Sequence, residues 1–170
     1  MTNILARFTA MALVAGLLPA VIAAGDGHDS EIQEIRANEV SWNRDFASRD
    51  VEKIVSHYAD DAIMMAPGLP AFHGKEAIRS FLKTMVADEA LSLQFHTGRV
   101  QLANSGDVGW SEGSYTMTMT DPETRKPVSS TGSYVTVYRK ERGMWKAVSD
   151  IASAGPEPGR SQTKEKDHER

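Results

Sequence analysis

Cysteine is absent from the 170 residues of this sequence. Disulfide bonds, thiolate nucleophiles and thiolate metal sites are therefore excluded. The sequence also lacks the G-x-G-x-x-G fingerprint of dinucleotide-binding proteins, the H-E-x-x-H zinc motif and any two histidines four residues apart. We therefore predict neither a cofactor nor a metal site.

Clustered positive charge is missing as well. The formal net charge is −4 at pH 7, and the lysines and arginines are scattered along the chain. Nucleic acids and anionic membranes bind proteins through a clustered basic face. We therefore expect neither of them as a partner.

Long hydrophobic runs are also lacking, apart from a short one near the N-terminus. Arg7 gives this segment a positive start, residues 10–24 carry no charge, and Ala23 or Ala24 supplies a small residue for cleavage. The apolar run at residues 11–18 is shorter than the roughly 20 residues of a membrane helix. Residues 1–24 are predicted to be a signal peptide, with an uncleaved anchor as the alternative. Loss of Arg7 moves the charge to −5, and the mature protein is expected to be periplasmic or secreted and free of the membrane.

The remaining chain has the length of one domain. We predict a linker at residues 25–29, a single domain at residues 30–154 and a disordered tail at residues 155–170. In the tail, proline, glycine and charged residues replace periodic apolar ones.

The domain is predicted to begin with an amphipathic helix capped by Asp29 or Ser30. Its apolar residues run from Ile32 to Phe46 at spacings that keep them on one stripe. Glu39 falls inside this stripe, so a carboxyl is expected at or near the interior.

Two further helices are predicted. A short one follows Asp50 and ends at the Asp60-Asp61 pair, whose expected role is to cap or turn the backbone rather than to form a catalytic dyad. The other begins at Gly74, and its apolar residues between Ile78 and Val86 have the clearest helical spacing in the chain.

Strands make up the rest of the predicted domain. One short strand precedes the third helix, and β-branched and aromatic residues then predict four more. The predicted strands are residues 62–66, 91–102, 108–120, 128–140 and 144–153. This order predicts an α+β fold, with three N-terminal helices on one face of a strongly curved antiparallel sheet.

Three stretches of sequence carry a family resemblance. Residues 42–78 read W-x-x-x-F-x-x-x-D-x-x-x-I-x-x-x-Y-A-D-D-A, followed by P-G and H-G-K-E-A-I; residues 131–140 read T-G-S-Y-V-T-V-Y-R-K; and residues 145–150 read W-K-A-V-S-D. In order and spacing, these stretches resemble the nuclear transport factor 2-like superfamily, especially its SnoaL-like and domain-of-unknown-function 4440 (DUF4440) groups. The resemblance covers residues 30–153 and implies a cone-shaped fold whose mouth takes a ligand.

The superfamily includes ketosteroid isomerases, so their catalytic positions can be compared with this sequence. The run Tyr58-Ala-Asp-Asp-Ala62 aligns with a similar run of those enzymes. The resemblance then places Ala66 at the position of their general-base aspartate and Trp42 at that of their oxyanion-binding tyrosine. Without a base and an oxyanion donor, steroid isomerisation is not expected.

Asp150 is the first candidate catalytic residue. Both faces of its predicted strand carry apolar residues, so the alternation does not settle which face meets the pocket. In the resembled families, an Asp or His near this place on the last strand often enters the cavity. A half-buried carboxyl there has a raised pKa and can act as a base. The alternative is an ordinary sheet carboxylate in a salt bridge.

Glu39 and His96 are the other candidates. A buried Glu39 requires hydrogen-bonding partners or a function, because an unpaired buried carboxylate is costly; the alternative is a rim position beside Arg36 or Asn43. His96, within a predicted strand, and His73, before the third helix, are possible proton-transfer groups, although a lone strand histidine is usually an ordinary surface residue. No serine nucleophile is predicted.

Aromatic, methionine and hydroxyl-bearing residues are expected to line the pocket, unless they simply fill the core. The predicted ligand-binding residues are Trp42, Tyr58, Met64, Phe81, Met85, Phe95, Trp110, Tyr115, Met117 and Tyr134.

The sequence thus predicts an exported domain that binds a small apolar or aromatic molecule, and it leaves open whether the domain also carries out acid/base chemistry of the isomerase, cyclase or hydrolase type. A homodimer through the sheet is expected from the strand face that bears Thr116 and Thr118 and from an antiparallel edge that needs covering. The alternative function is a non-catalytic module for homodimerisation or partner docking.

Overall fold

The computed structural model describes residues 24–156, and side chains are described from Gly27. The predicted signal peptide, apart from Ala24, and the part of the predicted tail beyond Pro156 lie outside these residues. Within them, no helix is long and apolar enough to cross a membrane.

The first helix is longer at its N-terminus than the sequence indicates. Helix α1 spans Ala24–Ala47, so residues 25–29 are helical and their prediction as a linker is wrong. The expected cap is also absent, because the hydroxyl of Ser30 donates to the carbonyl of Gly27 within the helix, at 2.9 Å.

Helix α2 spans Val51–Ser56 and begins as predicted. The carboxyl of Asp50 caps it by accepting a hydrogen bond from the backbone N–H of Lys53 at 3.1 Å. The helix ends before Asp60 and Asp61, which instead lie exposed in the following strand and pair with cationic side chains. Those two carboxylates therefore neither cap nor turn the backbone.

The third helix, α3, spans Lys75–Val86 and follows the first two strands of a six-stranded sheet. The strands are β1 (Tyr58–Met65), β2 (Phe72–His73), β3 (Ser92–Leu102), β4 (Val108–Thr120), β5 (Pro127–Glu141) and β6 (Met144–Ala154), in the spatial order β2-β1-β6-β5-β4-β3. The α+β class is as predicted. The prediction of an antiparallel sheet with three N-terminal helices is wrong in detail, because β1 pairs in parallel with β6 and strands β1 and β2 separate α3 from the first two helices. The long connection through α3 and β3–β5 makes a parallel pair possible.

Glycines opposite tyrosines allow the sheet to bend around its interior. In the β4–β5 pairing, Gly113 stands opposite Tyr134 and Gly132 opposite Tyr115. A Cβ atom on Gly132 would lie 2.1 Å from the carbonyl oxygen of Ser153 and 2.6 Å from the Tyr115 ring. Because Gly113 and Gly132 have no side chains, the rings of Tyr134 and Tyr115 can fold back over the neighbouring strand.

The hydrophobic core lies between the helices and the inner face of this curved sheet. Its most deeply buried apolar side chains come from all three helices and from β1, β5 and β6: Ile35, Ile54, Val55, Tyr58, Ile78, Leu82, Tyr138 and Ala147. The core is complete on the side of α2 and opens into a cavity towards α3, which sets the position of the candidate site.

Candidate functional site

A cavity of about 590 Å³ opens between α1, α3, the β1–β2 connection and the inner face of the sheet. Its walls are mainly apolar, and eight of the ten predicted ligand-binding residues lie on them: Trp42, Met64, Phe81, Met85, Phe95, Tyr115, Met117 and Tyr134. Ala66, Pro67 and Leu69 of the β1–β2 connection also line the cavity, and of these three the sequence had related only Ala66 to a site position. Its size and apolar walls are those of a small-molecule site.

Three of the residues predicted for the site are not on the cavity wall. Tyr58 lies behind the wall and reaches the site through its hydroxyl. His96 is exposed, and Trp110 lies on the outer face of the sheet. Successive strand residues face opposite ways, so His96 points away from the cavity that its neighbour Phe95 lines. The assignments of His96 and Trp110 to the pocket are therefore wrong.

Asp150 lies on β6 with its carboxyl at the cavity wall. Pairing with β5 puts it opposite Thr136, and both side chains face inward. One carboxyl oxygen accepts a hydrogen bond from the hydroxyl of Tyr58 at 2.6 Å, and the other accepts one from Thr136 at 3.2 Å. The face that the sequence left undecided is therefore the cavity face.

Burial raises the pKa of the Asp150 carboxyl above its ordinary value. The hydrogen bonds from Tyr58 and Thr136 act in the opposite direction, and the negative charge of Glu39 raises the pKa further. Burial and the carboxylate of Asp150 in turn raise the pKa of Tyr58 well above its usual range. Tyr58 therefore stays protonated and donates its hydrogen to Asp150.

Glu39 lies on α1 and is 1% exposed. It is therefore buried and does not occupy the rim position beside Arg36 or Asn43. One carboxyl oxygen accepts hydrogen bonds from Ser111 and from Tyr138, the latter at 2.8 Å. The other accepts hydrogen bonds from Thr97 and from Tyr134, the latter at 3.1 Å. Four hydroxyl donors from three strands thus compensate the buried carboxylate.

The Glu39 network keeps two tyrosines protonated. Burial raises the pKa of both Tyr134 and Tyr138, and the charge of Glu39 raises it further. Because each phenol has one proton and gives it to Glu39, Tyr134 presents only lone pairs to the cavity it lines.

Behind the cavity wall, His57 supports the Trp42 ring. The two rings stack with centroids 4.9 Å apart and an interplanar angle of 13°. One imidazole nitrogen lies 2.7 Å from a carboxyl oxygen of Asp45 and the other 2.8 Å from the side-chain oxygen of Asn38. Burial lowers the pKa of His57 despite the neighbouring Asp45. No local sequence pattern indicated this cluster, because its members come from two different segments.

Residues 109–113 read G-W-S-E-G, which has the letters of the G-x-S-x-G nucleophile elbow. That motif needs a sharp strand-to-helix turn that exposes its serine. Here the segment lies within β4, and Ser111 is fully buried and donates to Glu39. Ser111 is therefore a structural donor rather than a nucleophile.

Tyr58 and Tyr134 were predicted for the site, but Thr136 and Tyr138, which also bind the two carboxyls, were missed because β5 inverts the usual alternation. Tyr134, Thr136 and Tyr138 face inward, whereas Val135 and Val137 face outward. A strand that alternates valine with hydroxyl residues normally buries its valines. The even spacing of the three hydroxyl residues was the only available signal.

The two positions that align with catalytic residues of ketosteroid isomerases both lie at the cavity. Both Ala66 and Trp42, which stand where those enzymes have their base and oxyanion donor, line the cavity. The positions are thus in the site, but neither supplies a carboxyl or a hydroxyl. Within residues 24–156, moreover, no group of three histidine or acidic residues converges as a metal site would require.

The fold and cavity agree with the family that the sequence matches. The model of the SnoaL-like domain matches residues 40–148, and the chain belongs to this family. No curated protein matches it.

Solved structures of the nuclear transport factor 2-like type share the fold. A ketosteroid isomerase-like protein from Erwinia carotovora atroseptica has a TM-score of 0.66 and 21% identity, covering 75% of this chain and 99% of that one. An NTF2-like protein of unknown function from Pseudomonas putida KT2440 has a TM-score of 0.62 and 22% identity, with coverages of 75% and 88%. A conserved protein from Planctomyces limnophilus has a TM-score of 0.64 and 15% identity, with coverages of 75% and 99%. At these identities the similarity establishes the fold alone.

Proposed function

We propose that this protein binds a small apolar organic molecule in its cavity and transfers a proton to or from it through Asp150. The observation that carries the proposal is a half-buried carboxyl with a raised pKa on the wall of a mainly apolar cavity. Such a carboxyl is poised between its charged and neutral forms closer to neutral pH than an exposed one, as acid–base catalysis requires.

Asp150 is also held in a defined position. Tyr58 and Thr136 each donate to a different oxygen, which fixes the plane of the carboxyl. A group that transfers a proton needs a fixed position as well as a suitable pKa. Glu39 is not proposed for this role, since its oxygens are already occupied by four donors.

Binding to the cavity can be tested with the neutral apolar dye N-phenyl-1-naphthylamine, which fluoresces more strongly in apolar surroundings. Ala152 lines the cavity, so Ala152→Phe should fill part of it and weaken dye binding about tenfold or more. Val40→Phe introduces the same side chain at an exposed position of α1 and should bind the dye as the wild type does. Equal dye binding by the wild type and Ala152→Phe would rule out the cavity as the binding site.

We also propose a homodimer through the outer face of the sheet. On this face Val135 and Ile151 stand opposite each other across β5 and β6, and they are 37% and 39% exposed. Trp110 and Val137 form a second outward pair on β4 and β5. Covering these apolar side chains favours association. Light scattering should give the mass of two chains, and a lower mass for Ile151→Glu; a single-chain mass at high micromolar concentration would contradict the proposal.

Export remains a proposal as well. It rests on Arg7 followed by the uncharged segment of residues 10–24. N-terminal sequencing of the fractionated mature protein should start near residue 25, and a cytoplasmic product that keeps Met1 would exclude export.

A further inference from the structure

The side-chain hydroxyl groups on the cavity wall all donate hydrogen bonds to acceptors of the protein itself. Each hydroxyl carries a single proton. Among the described lining residues, five side chains bear a hydroxyl, and each donates to a protein acceptor: Thr84 to the carbonyl of Ser80 (3.4 Å), Ser130 to that of Met117 (3.5 Å), Tyr115 to that of Ser153 (3.3 Å), Tyr134 to Glu39 (3.1 Å) and Thr136 to Asp150 (3.2 Å). These hydroxyl groups can therefore act towards a ligand only as hydrogen-bond acceptors.

The ionisable side chains on the cavity wall also favour a positively charged or hydrogen-bond-donating ligand. Glu39 and Asp150 are acidic, and no lysine, arginine or histidine is found among the described residues that line the cavity. Each oxygen of Asp150 accepts one hydrogen bond from the protein, whereas a carboxylate can accept about four in total. Asp150 thus keeps free acceptor capacity at the cavity wall.

One donor on the wall has no partner among the described residues, the indole N–H of Trp42. Its nitrogen is buried, as the ring is enclosed by His57, Tyr58 and Phe95. The accessible polar side chains among the described lining residues are therefore hydrogen-bond acceptors, and the charged ones are acidic.

We infer that the ligand is an apolar amine, whose protonated nitrogen pairs with Asp150 while its carbon skeleton packs against the aromatic and methionine side chains of the wall. This inference rests on the proposed binding function of the same cavity. An ammonium group supplies the donors and the positive charge that the wall lacks. Aromatic rings such as those of Phe81 and Phe95 also line the cavity, and the face of an aromatic ring attracts a cation.

The same wall disfavours other ligand classes. A carboxylate or phosphate would meet two acidic residues and no accessible side-chain donor among the described lining residues, which disfavours its charge there. An enolate developing from a ketone would likewise find no accessible side-chain donor among these residues. The cavity is thus suited to positive charge on the ligand and not to negative charge.

A matched series of naphthalene compounds tests the inference. Displacement of N-phenyl-1-naphthylamine would be measured for 1-naphthylmethylamine, 1-naphthylmethanol and 1-naphthoic acid at about pH 7.5, where the amine is protonated and the acid ionised. The three compounds share one ring system and differ in their polar group. We expect the amine to bind about tenfold more tightly than the alcohol, and the acid about tenfold more weakly than the alcohol.

Substitution of the carboxyl locates the effect. Asp150→Asn should remove the preference for the amine over the alcohol, and continued binding of the dye would show that the cavity is intact. Asp61→Asn makes the same chemical change at an exposed position outside the cavity and should keep the preference.

Each outcome is decisive. The inference is overturned if the alcohol or the acid binds as tightly as the amine, or if Asp150→Asn keeps the full preference for the amine. In both cases binding of the dye and the alcohol would leave the proposed binding function standing. If neither the dye nor any of the three compounds binds, the proposed binding function fails together with the inference.

Discussion

Replacing Glu39 with alanine is expected to lower the free energy of unfolding by about 3–5 kcal/mol, because removal of one side of a buried charged network leaves its partners unpaired. Four hydroxyls, from Thr97, Ser111, Tyr134 and Tyr138, would lose their acceptor at once. Glu39→Gln keeps one acceptor oxygen and is expected to fall between the wild type and Glu39→Ala. Urea denaturation followed by circular dichroism measures all three proteins.

Glu34→Ala is the matched control for this prediction. Glu34 lies on the same helix but is exposed, so its loss should change stability by no more than about 0.5 kcal/mol. If Glu39→Ala were as stable as Glu34→Ala, the buried network would not be a main support of the fold.

Replacing Asp150 with asparagine is expected to lower kcat by about 100-fold or more, which is the usual contribution of a general acid or base. The change keeps the shape of the side chain and removes its ability to transfer a proton. It would be measured at saturating concentration of a substrate found among the ligands that displace the dye, so that weaker binding does not contribute. Asp61→Asn serves as the control, and its kcat should stay at the wild-type value. A wild-type kcat in Asp150→Asn would exclude this residue as the proton-transfer group.

The raised pKa of Asp150 also predicts how stability depends on pH. The folded-state pKa lies above the unfolded value, so the folded state holds the proton more tightly. The contribution of Asp150 to stability is therefore fully present below about pH 4, the unfolded pKa, and is lost as the pH rises through the folded pKa. Asp150→Asn should remove this part of the pH dependence.

Local sequence patterns were sufficient for most secondary-structure elements of the described residues. The apolar spacing of α3 and the β-branched texture of β3–β6 predicted them to within one or two residues. Pairing across long connections was not predictable in this way. The parallel contact of β1 with β6 depends on residues about 90 positions apart, and no turn marks it.

The candidate site shows the same limit. The position of Glu39 inside a helical stripe left open whether its carboxyl is buried or at the rim, and it gave no indication of the four hydroxyls around it. Those come from β3, β4 and β5, and on β5 they occupy the face where valines are normally expected. His96 was misplaced for a related reason, since a strand histidine carries no mark of the face on which it lies. Side-chain partners from distant strands are set by tertiary packing, which local periodicity does not encode.

The pKa of the Asp150 carboxyl in the ligand-free protein is the most direct test of the proposed site. It can be measured by NMR from the pH dependence of the chemical shift of the side-chain carboxyl carbon, before any substrate is known. The proposed site predicts a value clearly above the ordinary value of about 4 for an aspartate. A value at or below about 4 would contradict the proposal of acid–base chemistry and leave the cavity as a binding site only.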